Sequence, residues 1–140
     1  MRRHMIVVLV CLLPLSAAAK EHIVEATARD FLPDVLVVEP GDTVRFTGMA
    51  SHAVVTVEGL IPEGARPWAS ALGEDVIFTP EREGIYGFVC PPHLSLGMVG
   101  IIVVGTPLDL DAKLDWARAH LQGPHRRLIG KLLKLRRNKT

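Results

Sequence analysis

The sequence predicts an all-β sandwich with Greek-key connections, followed by two C-terminal α-helices. Two observations support this fold class. Short runs of β-branched and aromatic residues recur with turn signals between them, and the chain changes to a helical period near its end. A chain of 140 residues is long enough for one domain with an adequate core. We therefore expect a β-sandwich over residues 20–105 and a helical extension over residues 106–140.

The expected strands are short and separated by turn residues. They are residues 22–28, 35–39, 43–47, 52–57, 75–79, 85–90 and 98–104. Between the second and third strands, Pro40 presets φ at one corner of a turn and Gly41 accepts the positive φ of a type II turn. Alternation places Tyr86, Phe88 and Cys90 on one face of the sixth strand. With that face in the core, the Cys90 thiol points inward at the end of the strand.

The tail has the period of amphipathic helices. Thr106 as N-cap and Pro107 at the first helical position predict a helix start, and Gly123-Pro124 predicts its end. The apolar stripe of this helix is Leu110, Leu114, Ala117 and Leu121. A second helix is expected from His125 onward, with an apolar face and a basic face. Its apolar face holds Leu128, Ile129, Leu132, Leu133 and Leu135, and its basic face holds Arg127, Lys131 and Lys134.

Charge is distributed unevenly along the chain. Residues 20–117 contain six Lys or Arg against fifteen Asp or Glu, whereas residues 118–140 contain eight Lys or Arg and no acid. Four roles are open for the basic segment: a solvated helix face packed on the domain, pairing with the protein's own acidic face, peripheral contact with anionic lipid, or a docking surface for a partner.

The N-terminus has the pattern of a secretory signal. A basic start precedes an apolar run over residues 6–15 and small residues over 16–19. The apolar run is too short to span a bilayer comfortably, so we expect a cleaved signal peptide over residues 1–19, with an uncleaved anchor as the alternative. Cleavage would remove Cys11 and leave Cys90 as the one cysteine in an oxidising compartment. No disulfide within the chain is then possible, and a metal–thiolate bond explains the remaining thiol.

The residues with the clearest chemistry are Cys90, His93 and Met98, which offer a thiolate, an imidazole and a thioether on one short loop. A second histidine would complete a trigonal His₂Cys site with a distant axial Met, the arrangement of a blue-copper centre that binds one ion as Cu(I) or Cu(II). Zinc usually takes a tetrahedral set of stronger ligands. A cysteine nucleophile is disfavoured because Cys90 points toward the core. An accidental grouping is the remaining alternative.

His52 is the expected second histidine. It stands at the start of a predicted strand, where a Greek-key sandwich can bring it beside the Cys90 loop. His22, at the first strand, and His120 and His125, in the tail, are expected to be surface residues.

Several segments together resemble the pseudoazurins, small blue-copper proteins of the cupredoxin family. These segments are Glu-Pro-Gly-Asp-Thr-Val at 39–44, Ser-His at 51–52, residues 59–64, residues 86–100 and the two helices after the last strand. The resemblance implies a cupredoxin fold, with one copper ion held by His52, Cys90, His93 and axial Met98. It also implies a soluble periplasmic electron carrier that takes electrons from a cytochrome-type donor and passes them to a terminal reductase, in some cases one of denitrification.

The resemblance also implies a docking patch. In the family, the histidine of the cysteine loop reaches the surface through an apolar patch, which here would be Pro92, Leu94 and Leu96 around His93. An exposed apolar patch on a small carrier usually marks a contact site. The alternative is a loop tucked under its neighbours.

The chain departs from this family in two respects. The family commonly has Asn after its first histidine and Thr after its cysteine, and these side chains tie the ligand loops together. Here the residues are Ala53 and Pro91, and we expect copper still to bind with a shifted reduction potential. The family also tends to ring its docking mouth with lysines. Here Ala50, Trp68 and Val89 flank the ligands without charge, so the lysine ring is absent.

Two functions of different class follow from the ligand set. One is a one-electron carrier, and the other is a copper-handling protein that stores or delivers the metal. The sequence lacks a Met- or His-rich tract that would favour copper handling. An enzyme would need a second metal centre or an open ligand position, and the sequence indicates neither, so we expect no enzymatic activity and no nucleic-acid partner.

Overall fold

The computed structural model describes residues 18–138, which form two four-stranded β-sheets followed by helices. The strands are β1 (Glu21–Ala26), β2 (Phe31–Leu32), β3 (Val35–Val38), β4 (Thr43–Thr47), β5 (Val55–Thr56), β6 (Val76–Phe78), β7 (Gly84–Val89) and β8 (Val99–Val104). The helices are a 3₁₀ helix (Pro91–Leu96), α1 (Leu110–His120), a second 3₁₀ helix (Gly123–Arg126) and α2 (Arg127–Arg137). The predicted signal peptide, residues 1–19, falls almost wholly outside the described residues. Within residues 18–138, none of the helices has the length and apolarity needed to cross a bilayer.

The two sheets have the orders β2-β1-β4-β6 and β3-β8-β7-β5. The pairs β1–β4 and β3–β8 are parallel, and the other strand pairs are antiparallel. The predicted all-β sandwich with C-terminal helices is therefore confirmed. The prediction missed β2, because a two-residue strand is too short to show alternation. The predicted strand 52–57 was too long, since only Val55 and Thr56 form it and His52 lies in the preceding loop.

The space between the sheets is filled by an aromatic core. Phe31, Phe46 and Phe88 are fully buried and contact one another edge to face, with ring centroids 5.1–5.9 Å apart. Tyr86 and Cys90 belong to the same core, so the predicted face of β7 is confirmed. The loop that follows Cys90 therefore starts from a residue packed in this core.

The helices complete a second core on the outer face of the β7–β8 sheet. Buried leucines of both helices share this core with strand residues such as Ile85 and Ile101. The helical members are Leu110, Leu114, Ala117, Leu121, Leu128, Leu132 and Leu135. The predicted apolar stripes are therefore confirmed. The predicted start of the first helix was wrong: Asp109 occupies the N-cap position, and Pro107 is buried in the connecting loop instead of opening the helix.

Ion pairs connect the second half of α2 to the sandwich and to α1. The ammonium groups of Lys131 and Lys134 both contact the Asp34 carboxylate, and Arg136 lies 3.7 Å from Asp111. Burial alone would raise the pKa of Asp34, but the hydrogen bond and charge of Lys131, with help from Lys134, lower it. Part of the basic charge of the tail is thus paired with the protein's own acids.

Candidate metal centre

Strand β7 delivers the thiol to the end of the sandwich. Cys90 directly follows the strand, is fully buried, and is the free cysteine among residues 18–138. Its backbone N–H donates to the carbonyl of Met98 at 2.9 Å, which closes the base of the loop between β7 and β8. The thiol therefore has a fixed position before any ion binds.

The loop itself is a short 3₁₀ helix with proline at its start. Its hydrogen bonds run from His93 N–H to the Cys90 carbonyl at 3.1 Å and from Met98 N–H to the His93 carbonyl at 3.3 Å. Gly97 ends the helix with a φ of 87°, a left-handed conformation that glycine adopts without strain. After this turn the chain re-enters the core, where Met98 is fully buried in the same cluster as Cys90.

His52 reaches this loop from the other side of the site. Its Nδ1 atom lies 3.6 Å from Sγ of Cys90, and Nδ1 of His93 lies at the same distance from that sulfur. The two imidazole rings are 4.6 Å apart between centroids. The three donor atoms all lie within 4.8 Å of one another, and within residues 18–138 no other His, Cys, Asp and Glu side chains form such a group.

The remaining histidines of the described chain lie elsewhere. His22 contacts the Asp42 carboxylate at 2.7 Å, and His120 stacks on Trp116. His125 lies half-buried in the second 3₁₀ helix. As expected, these three histidines do not belong to the group formed by His52, Cys90 and His93.

The environment of the cluster suits a metal of intermediate softness. Burial, with a smaller contribution from the charge of His93, lowers the pKa of His52, so its imidazole is neutral and has a free lone pair at neutral pH. His52 and Cys90 are buried, while His93 is half-exposed. Two imidazole nitrogens around a thiol, with a buried thioether at the end of the same loop, are donors that fit copper better than the oxygen-preferring cations.

Comparison with known proteins agrees with this chemistry. The model of the copper-binding proteins of the plastocyanin/azurin family matches residues 18–105. The chain belongs to this family. A pseudoazurin from Paracoccus pantotrophus is 38% identical over 90 residues, which cover 63% of this chain and 62% of that protein. The family assignment confirms the predicted cofactor, a copper ion, and agrees with the prediction that the chain is not an enzyme.

Solved structures of family members extend the likeness to the whole sandwich. The pseudoazurin of Methylobacterium extorquens AM1 superposes with a TM-score of 0.70 at 28% identity, covering 82% of this chain and 98% of that chain. The pseudoazurin of Hyphomicrobium denitrificans superposes with a TM-score of 0.69 at 34% identity, covering 81% of this chain and 97% of that chain. In sequence, the matched segments span only 54% and 62% of the curated pseudoazurins from M. extorquens and P. pantotrophus. The predicted resemblance to pseudoazurins is confirmed.

The predicted docking residues differ in their exposure. Pro92 is exposed and Leu96 is 51% exposed, whereas Leu94 is half-buried and packs partly against the second core. A further exposed apolar residue, Leu72, was not predicted. It is 64% exposed and precedes Gly73, whose N–H donates to the His52 carbonyl. Leu72 lies in a loop without periodicity, so no sequence signal could have placed it near the site.

The N-terminal end of α2 also reaches the ligand loop. A β-carbon at Gly97 would overlap the side chain of Arg127, so this arginine covers the glycine that ends the loop. The neighbouring Arg126 is exposed. The basic helix was predicted from the sequence, but the contact of its first turn with the loop between Cys90 and Met98 was not.

Proposed function

We propose that the chain is a one-electron carrier in which His52, Cys90, His93 and Met98 hold a single copper ion. The observation that carries this proposal is the convergence of the Cys90 thiol and one nitrogen from each of two imidazoles within 4.8 Å, in a chain of the plastocyanin/azurin family. The buried thioether of Met98, in the same core cluster as Cys90, would supply a fourth and weaker sulfur donor. When bound, copper supplies a centre that alternates between Cu(I) and Cu(II).

The protein's own residues give such a centre its rigidity. The Cys90 and Met98 backbones are joined by a hydrogen bond at the base of the loop, and both residues lie in a close-packed aromatic core. The loop therefore cannot rearrange much when the charge of the site changes. Burial of His52 and Cys90 excludes water, and four donors leave no open position for a substrate.

The half-exposed imidazole of His93 provides the route to a partner. Pro92 and Leu96, which lie in the same loop, are exposed, and so is Leu72, which precedes the residue bonded to the His52 carbonyl. Apolar exposed residues around a single half-exposed ligand are suited to brief contact with another redox protein. We assign this face to docking of an electron donor and an acceptor, the latter a terminal reductase.

The distribution of charge indicates the kind of partner. Lys131 and Lys134 are paired with Asp34, whereas Arg126 and Arg127 lie at the end of α2 that touches the ligand loop. A partner with an acidic docking surface would therefore be attracted to the copper end. Peripheral membrane contact through the apolar face of α2 is disfavoured, because the leucines of that face are buried in the second core.

A periplasmic location is part of this proposal. It is supported by the signal-peptide pattern of residues 1–19 and by a single remaining cysteine that is suited to a thiolate bond in an oxidising compartment.

A redox titration of the copper-loaded protein tests the proposal. We expect one copper per chain, reversible uptake of one electron from ascorbate, and fast self-exchange in NMR line broadening. Ready transfer of Cu(I) to an apo-acceptor combined with slow self-exchange would instead establish the copper-handling function. Failure to bind copper at all would exclude both.

A further inference from the structure

The segment that carries His52 is held by residues 70–75. The N–H of Met49 donates to Oδ1 of Asp75 at 3.1 Å, and the N–H of Val54 donates to Oγ of Ser70 at 2.9 Å. Two backbone bonds run alongside: Gly73 N–H donates to the His52 carbonyl at 3.0 Å, and Ser70 N–H donates to the Val54 carbonyl at 2.9 Å. Residues on both sides of His52 are thus fixed by the same short loop.

These bonds matter because Ala53 and Pro91, the residues that follow His52 and Cys90, cannot join the two ligand loops through side-chain hydrogen bonds. Ala53 has no polar side-chain atom, and Pro91 has neither a polar side chain nor a backbone N–H. The one remaining bond to the His52 backbone comes from within its own turn, where its N–H donates to the Met49 carbonyl at 2.9 Å. The turn from Met49 to His52 therefore depends on Asp75 at its start and on Ser70 just beyond its end.

We propose that Ser70 and Asp75 are positioning residues that hold the His52 imidazole at the distance from Cys90 that copper requires. This inference rests on the proposed function, because it takes His52 as a copper ligand. A ligand must be held within about 0.5 Å of its productive position by supporting hydrogen bonds. Loss of such a support typically costs about 10- to 100-fold in metal affinity.

The test compares variants that remove one bond with variants that keep it. Ser70→Ala and Asp75→Ala remove the acceptors of Val54 N–H and Met49 N–H, whereas Ser70→Thr and Asp75→Asn keep an oxygen at each position. Tyr86→Phe is the matched control. It removes a side-chain hydroxyl that bonds the Arg82 backbone at 3.0 Å. Tyr86 lies on β7, four residues before Cys90.

We expect the alanine variants to bind Cu(I) about 10- to 100-fold more weakly than the wild type in competition with bicinchoninate, and therefore to release it faster. The visible bands of their Cu(II) forms should also shift. The conservative variants should restore both properties to near the wild-type values. In the copper-free protein, the Val54 amide should exchange with solvent faster in Ser70→Ala than in the wild type. Tyr86→Phe should lower stability without changing copper release or spectrum.

Two results would overturn this inference and leave the proposed function intact. One is a wild type that binds copper normally together with alanine variants whose copper release and spectra are unchanged. The other is faster release in Tyr86→Phe to the same extent as in Ser70→Ala, which would show general destabilisation. A wild type that binds no copper would overturn the proposed function and this inference with it.

Discussion

The thiol of Cys90 lies 3.6 Å from Nδ1 of His52, although 38 positions separate the two residues in the chain. Cys90 arrives at the end of β7, and His52 lies in the loop before β5, which pairs with β7. The sandwich therefore assembles the site from two loops that the same sheet brings together. A site formed in this way exists before the metal binds, which suits a carrier that must change charge with little movement.

Replacing Met98 by leucine should alter the copper site without unfolding the protein. The two side chains have similar volumes, so the free energy of unfolding should fall by less than about 1.5 kcal/mol. Losing a sulfur donor disfavours Cu(II) more than Cu(I), so the reduction potential should rise. The potential is measured by redox titration, and circular dichroism checks the fold.

Met49→Leu is the matched control for this prediction, since Met49 is also fully buried and only its backbone takes part in the bonds around His52. The reduction potential of the Met49→Leu variant should stay at the wild-type value. A larger change in potential for Met49→Leu than for Met98→Leu would contradict the assignment of Met98 as the axial ligand.

Removing the charges of Arg126 and Arg127 should change electron transfer according to the charge of the reagent. The double variant to glutamine should react roughly three- to tenfold more slowly with anionic hexacyanoferrate(III) at low salt and faster with a cationic ruthenium hexaammine. Stopped-flow spectroscopy at several ionic strengths measures both rates.

Arg137→Gln, at the other end of α2, should leave these rates near the wild-type values. Rates that change in the same direction for both reagents would indicate a disturbed loop and would count against a docking role for the two arginines.

The leucines of α2 should contribute to the stability of the whole protein. Leu132 is fully buried in the core shared with β7 and β8, so Leu132→Ala should cost about 2–5 kcal/mol of unfolding free energy. Leu108 is 99% exposed, and the same substitution there should change the free energy by no more than about 0.5 kcal/mol. Equal, small effects in urea unfolding would contradict a shared core and favour a separable helical extension.

Asp42 should make stability depend on pH in the acid range. It accepts hydrogen bonds from the Lys20 backbone, from His22 and from the Glu39 backbone, and these bonds, the Lys20 bond foremost, lower its pKa from 3.8 to about 2. Because the pKa is lower in the folded state, the stabilisation is present above pH 3.8 and is lost as the pH falls toward about 2. Urea unfolding of the copper-free protein should show this loss.

Asp42→Asn should flatten that part of the profile, because the amide does not titrate. Glu39→Gln, which changes an exposed carboxylate in the same turn, should keep the wild-type slope. Parallel profiles for wild type and Asp42→Asn would show that Asp42 is not the responsible group.

The sequence predicted those parts of the fold that depend on local pattern. Alternation placed Tyr86, Phe88 and Cys90 correctly in the core, and helical periodicity identified the buried leucines of both helices. The helix start at Thr106 was wrong because a local capping signal cannot reveal that Pro107 is buried in the preceding loop. Strand β2 was missed because its pairing with β1, rather than its own two residues, defines it.

The site was predictable to the extent that its residues are close in sequence. The loop from Cys90 to Met98 carries three expected ligands in nine residues, and the structure brings its thiol and imidazole to His52 as expected. The supports of His52 were not predictable. Ser70 and Asp75 lie in or beside a loop rich in Gly, Pro and Ala, and only the tertiary structure brings them to Met49 and Val54.

The visible spectrum of the copper-loaded protein, recorded for the wild type and for Cys90→Ser, tests the central claim most directly. We predict intense visible absorption from the thiolate–Cu(II) bond, one copper per chain, reversible bleaching by a reductant, and loss of the colour in Cys90→Ser. An oxidised wild-type protein that is colourless and contains no stoichiometric copper would contradict the claim.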